Sequence, residues 1–134
     1  MTIICYFAVM KVSGILVFLL FFVTVSCYRP QRACKDFKDG QFSFTTTING
    51  EKKTTRFTRF GNTEIDFFEG KSDTSTIRWI NDCEYIVKKT NPNSRSEEKS
   101  IHMKILTTTD SSYTFEYGIV GSSKKSRGTA IKVN

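Results

Sequence analysis

The densest chemistry-bearing stretch of the chain is Arg78-Trp79-Ile80-Asn81-Asp82-Cys83-Glu84-Tyr85, which holds the single tryptophan, a cysteine and a tyrosine. Arg78, Trp79 and Tyr85 could line a ligand pocket, aromatic faces holding an apolar body and the guanidinium a polar group. The same residues could instead plug one end of the fold, with Cys83 tied to Cys34. A second group is acidic: Glu64, Asp66 and Glu69 fall in one short run. Alternation along a strand gives Glu64 and Asp66 a common face, where two carboxylates could act as acid and base. Charged outward positions of a strand explain them more simply. His102 is the only histidine, so a multi-histidine metal site is excluded. No nucleophile elbow and no glycine-rich phosphate loop is present. These residues predict a protein that is not an enzyme and uses no metal or cofactor.

Arg56, Arg59 and Arg78 interleave with Phe57, Phe60 and Trp79, as on surfaces where bases stack on aromatics and cations hold phosphates. On alternating strands these arginines and aromatics cannot all share one face. The expectation is a solvated outer face over a packed inner one, with no nucleic-acid partner.

Those groups follow a segment that determines destination. Lys11 precedes the apolar run Val12–Cys27, which ends in Ser26-Cys27, the small-residue-then-cysteine junction that is cleaved and acylated in exported lipoproteins. Residues 1–26 therefore read as a helical signal segment, with Met10 a candidate true start, and Cys27 as the lipid-bearing residue. Cleavage without lipid, or retention as an anchor, are the alternatives. The expected location is the cell envelope, anchored by lipid at the outer membrane and facing the periplasm or the surface. Net charge is +7 for the whole chain and about +6 without residues 1–26. Arg29, Arg32, Lys35 and Lys38 sit close to the anchor, where basic groups are attracted to anionic headgroups by roughly 1 kcal/mol each; a solvated tether suits them as well.

Of the four cysteines, Cys5 lies in the signal and Cys27 carries the lipid, leaving Cys34 and Cys83. In an oxidising compartment one such pair reads as a disulfide, with two separate buried thiols as the alternative. Closing a loop of about 50 residues would contribute on the order of 4 kcal/mol.

The elements that must position these groups are almost all strands. Residues 27–39 read as a tether and 40–134 as the folded domain. Phe42–Ile48, Lys53–Phe60, Thr63–Glu69, Thr74–Asn81, Glu84–Lys89, Ile101–Leu106, Tyr113–Ile119 and Arg127–Val133 alternate or are rich in strand formers. Asn49-Gly50 and Gly61-Asn62 mark turns, and Ser94 with Glu97 resembles a capping box in the polar gap Thr90–Lys99. About eight short antiparallel strands must hide their edges, and closure does so most simply. The predicted fold is all-β, a small up-and-down β-barrel, with a β-sandwich as the alternative. The inward set is expected to be Phe42, Phe44, Ile65, Phe67, Ile77, Trp79, Tyr85, Val87, Met103, Ile105, Phe115 and Tyr117.

The strings Cys34–Phe42 (CKDFKDGQF), Arg78–Tyr85 (RWINDCEY) and Met103–Thr109 (MKILTTT) together resemble a family of short exported bacterial lipoproteins of lipocalin-like appearance, over roughly residues 34–130. The resemblance implies a fold and a location, and no catalytic residue. Some such chains carry the label DNA topoisomerase IV, an activity the residues here do not support. It needs an ATP-binding domain, a metal-binding acidic cluster and a tyrosine nucleophile on a DNA-binding domain, which do not fit in one small exported domain. The expected function is non-catalytic binding of a small molecule or an envelope partner. The alternatives are an accessory envelope lipoprotein with a filled barrel, and an enzyme working through the acidic strand.

Overall fold

Strand formers separated by short turns leave each strand one sequential neighbour on either side, and the chain uses that order without exception. The computed structural model describes residues 31–133. The expected signal segment and Cys27 lie outside the described residues. The strands are β1 (Gly40–Ile48), β2 (Glu51–Phe60), β3 (Thr63–Phe68), β4 (Lys71–Asn81), β5 (Glu84–Lys89), β6 (Ile101–Thr108), β7 (Ser112–Ile119) and β8 (Ser126–Val133). Each pairs antiparallel with the next, and β8 returns to β1 with Ala130 opposite Phe44 and Val133 opposite Gln41. The result is a closed eight-stranded up-and-down barrel.

Turn chemistry sets the register. Asn49-Gly50 and Glu69-Gly70 take positive φ at both central positions, the twist that suits a two-residue hairpin. Glu69 adopts φ 47° without being glycine, a local cost that the β3–β4 ladder holds in place. The polar gap forms a turn, not a helix. Ser94 Oγ accepts from the Glu97 amide at 3.3 Å, whereas the Glu97 carboxylate accepts from the Asn93 amide, so only half of a capping box is made.

The core is aromatic and sits towards one end. Phe42 stacks on Phe57 with centroids 5.1 Å apart, and Tyr113 packs against Phe37, Phe42 and Phe115. Inside the wall Phe44 meets Phe115 edge-on at 5.3 Å. A Cβ on Gly128 would lie 2.4 Å from the Phe44 ring, so the bare backbone of β8 is what lets that ring lie over the strand and reach Phe115 on β7.

Two expectations about facing are corrected. Ile65 and Phe67 lie outside, not inside; Phe67 is 49% exposed. Cross-strand partners share a face, and the partners of Arg59 and Phe57 on β3 are Glu64 and Asp66. Packing of Phe57 and Arg59 in the core therefore turns the two carboxylates inward and the two apolar residues outward. The arginines divide likewise: Arg56 and Arg78 are exposed, but Arg59 is 1% exposed inside the barrel.

Part of the expected tether is also folded. Cys34–Phe37 forms a 3-10 helix that buries Cys34 and Phe37. It is held by the Cys34–Cys83 disulfide (Cα–Cα 5.2 Å), by Lys38 on Asp82 at 2.9 Å, and by Lys132 Nζ donating to the Asp36 carbonyl. The amide of Ala33 donates to Thr108 Oγ1 and the guanidinium of Arg32 to the Ile105 carbonyl. This helix closes the barrel end where β1 begins.

Replacing Cys83 with Ala removes the covalent tie between that helix and the β4–β5 turn. The expected loss is about 4 kcal/mol, a fall in Tm of more than about 10 °C for a domain of this size. Thermal unfolding followed by far-UV circular dichroism measures it, and an unchanged Tm refutes the bridge as a stabilising element.

Candidate functional site

At the sealed end a charged side chain lies where an apolar one would be expected. The guanidinium of Arg59, on β2, reaches across the barrel floor. Its Nε donates to Glu64 Oε2 at 2.9 Å and its Nη1 to the Phe37 carbonyl at 2.8 Å. Its Nη2 is 2.8 Å from Glu64 Oε2, 2.8 Å from the Tyr85 hydroxyl and 3.3 Å from that of Tyr113. The rings of Tyr85, Phe42, Phe57 and Trp79 surround its carbon with centroids 4.7–5.8 Å away. Burial works against the guanidinium charge, but the oxygens of Tyr85, Tyr113 and Glu64 outweigh it and hold the arginine protonated. Burial likewise pushes the Tyr85 and Tyr113 hydroxyls up, keeping both neutral.

This arrangement redistributes the residues of the densest motif. Tyr85 is fully buried and Trp79 half-buried beside it, with ring centroids 4.5 Å apart and Lys38 over the indole. Arg78 pairs with Ile86 on the outer face. The structure thus brings Trp79 and Tyr85 together at the floor and places Arg78 apart from them, while Cys34 and Cys83 meet. His102 sits outside, 3.1 Å from Glu84. Among the described residues no group of three His, Cys, Asp or Glu is placed to hold a metal ion.

Away from the floor the barrel opens. Continuing the inward register of Phe42 and Phe57 brings Thr46, Ile48, Thr55, Asp66, Phe68, Val87, Met103, Ile101, Tyr117 and Ile119 to the inner wall. Inward side chains near the floor are buried; those farther along are half-buried, and at the rim Ile48, Ile101 and Ile119 are 44%, 36% and 42% exposed. The wall at this end is mixed: the same pairings put Glu51, Lys53, Lys71, Asp73 and Lys89 on it beside the apolar residues. A shallow cleft between Lys99–Ser100 and Ile119–Ser122 continues this rim.

Asp66 is the charged group of this wall that stands next to Glu64 on the inner face of β3. It faces Phe57 and Asp73 across the neighbouring strands. Desolvation, reinforced by the Glu64 charge, raises its carboxyl to about 7, with Arg59 and Lys89 pulling the other way. The nearby lysines are engaged: Lys89 lies 3.0 Å from Asp73 and 3.1 Å from Glu97, and Lys53 lies 2.7 Å from Glu69 and 3.4 Å from Glu51. None of these pairs includes Asp66. Sequence reasoning assigned this carboxylate to the outside. The signal that could have corrected it is the pairing of β2 with β3, since a buried arginine on β2 demands a carboxylate directly opposite.

No family model matches the chain, and searches of curated proteins and of solved structures return no match either.

Two predictions follow from this geometry. Arg59→Met leaves Glu64 buried without its partner and is expected to cost about 3–5 kcal/mol; adding Glu64→Gln should recover part of that loss in denaturant titrations. If the double variant is no more stable than Arg59→Met alone, the two charges are not coupled as described. For Asp66 the folded carboxyl binds its proton more tightly than the unfolded one. Its contribution therefore favours the folded state less as pH rises from about 4 to about 7. Asp66→Asn should remove that decline and raise Tm at pH 8; a decline of the same size in the variant would assign it to other groups.

Proposed function

We propose that this chain is an exported, lipid-anchored and non-catalytic protein that binds a small molecule in the mouth of its barrel. The observation carrying this reading is the one-sided gradient of burial. The same eight strands are packed solid around Arg59 at one end and leave inward-facing isoleucines part-exposed among charged side chains at the other. An open end that offers apolar contact beside a few polar groups suits a small ligand. Attachment to the membrane runs through lipid on Cys27, and the Cys34–Cys83 bond suits the oxidising compartment beyond it.

A second reading, an accessory lipoprotein that engages another envelope protein, draws on the outer face of β8, β1, β2 and β3. There Gln41, Ser43, Arg56, Thr58, Phe67 and Val133 line a groove. Phe67 and Val133 are exposed along it.

The test uses the full chain expressed with its own signal. Wild-type protein is expected in the membrane fraction, with Cys27→Ala soluble or unprocessed. Native mass spectrometry of the purified chain is expected to show a co-purifying mass below about 1,000 Da, within what a pocket of this class holds. Cys27→Ala that still fractionates with membranes at the mature mass refutes the anchor, and a retained protein partner with no small mass favours the second reading.

A further inference from the structure

We propose that the barrel mouth is selective for organic amines, taking a protonated ammonium at Asp66 and an apolar body against the rim formed by Ile48, Ile101 and Ile119. This rests on the small-molecule reading above and specifies the class of ligand. Three observations on different elements converge on it.

The first is the placement of the carboxylate. Glu64, two residues along β3, points inward to Arg59, and alternation gives Asp66 the same face farther from the floor. The charged groups facing it are Arg59 on β2, Glu64 on its own strand, Asp73 on β4 and Lys89 on β5, with Lys53 of β2 and Lys71 of β4 farther towards the mouth on the same face. Arg59 is occupied by Glu64, Tyr85, Tyr113 and the Phe37 carbonyl, and Lys89 by Asp73 and Glu97. An incoming cation therefore finds at Asp66 a carboxylate whose neighbouring cations are already matched.

The second is the wall. Phe57 lies directly across from Asp66, with Phe44 and Phe115 forming the next layer. Aromatic faces attract a desolvated cation and repel an anion. The third is the rim, where isoleucines of β1, β6 and β7 remain exposed although their register points them inward. Apolar side chains held half in water at a mouth gain most from a ligand that covers them. A bare metal ion would leave the isoleucines uncovered, and an anionic head placed at Asp66 would meet that carboxylate and Asp73 beside it.

Binding of an ammonium requires Asp66 in its charged form, so apparent affinity follows the charged fraction. With the carboxyl at about 7, that fraction grows about tenfold between pH 6 and pH 8. The experiment titrates the full chain, in a neutral maltoside detergent and with isoleucine methyls isotope-labelled, with phenethylamine, phenylethanol and phenylpropionate. These probes share an aromatic body and differ in charge.

The expected result is that phenethylamine shifts the methyl signals of Ile48, Ile101 and Ile119 and binds about tenfold more tightly at pH 8 than at pH 6. Asp66→Asn should weaken it at least about tenfold and abolish the pH dependence, while Asp66→Glu retains both. Equal binding of phenylethanol, with no effect of Asp66→Asn, overturns the amine assignment and leaves the cup intact. No methyl shift with any of the three probes overturns the cup as well. Should Asp66→Asn lose the folded methyl spectrum, the pH dependence in the native chain and in Asp66→Glu decides the matter.

Discussion

The arginine on the barrel floor is the constraint from which the remaining geometry follows. A guanidinium presents several donors in a rigid plane, and at Arg59 they are met by a carboxylate, two phenols and a backbone carbonyl from four separate parts of the chain. A lysine could not reproduce this fork, and an apolar residue would leave Glu64 and the Phe37 carbonyl without their partner. Because the cation is buried, each acceptor must stay in place. That requirement draws β3, β5, β7 and the Cys34–Phe37 helix towards β2.

The same floor makes the barrel asymmetric. Large aromatics and the plugging helix fill the cross-section near Arg59, and the disulfide to Cys83 closes the helix against the β4–β5 turn. At mid-height a glycine in β8 lets Phe44 lie over that strand and reach Phe115 on β7. Beyond that level the inward positions mix aliphatic, aromatic, small and charged side chains that are half-buried or exposed. One sheet therefore yields a tightly packed base and a looser opposite end without any change of topology.

The chain is strongly basic, at +7, and the inner wall carries charges of both signs: Glu51, Glu64, Asp66 and Asp73 with Lys53, Arg59, Lys71 and Lys89. Side chains alternate across a sheet, so its two faces can carry different charge patterns independently.

The sequence by itself determined the strands, their order and the closure of the sheet. Alternation over runs such as Phe42–Ile48 and the turn at Asn49-Gly50 are local signals, and short hairpins leave sequential neighbours little choice but to pair. It also pointed to Cys34 and Cys83 as the pair, with separate thiols as the alternative, and the structure joins them. What it left undecided was facing. In the Thr63–Phe68 run both alternating sets hold plausible members, Ile65 and Phe67 or Glu64 and Asp66, and hydrophobicity alone favours the wrong one. Only the ladder with β2, where Arg59 stands opposite Glu64, decides the matter, because a buried charge needs its counter-charge across the strand more than a barrel wall needs two further apolar side chains. The floor itself was equally out of reach, since it joins residues 37, 59, 64, 85 and 113, which come together only when the barrel closes.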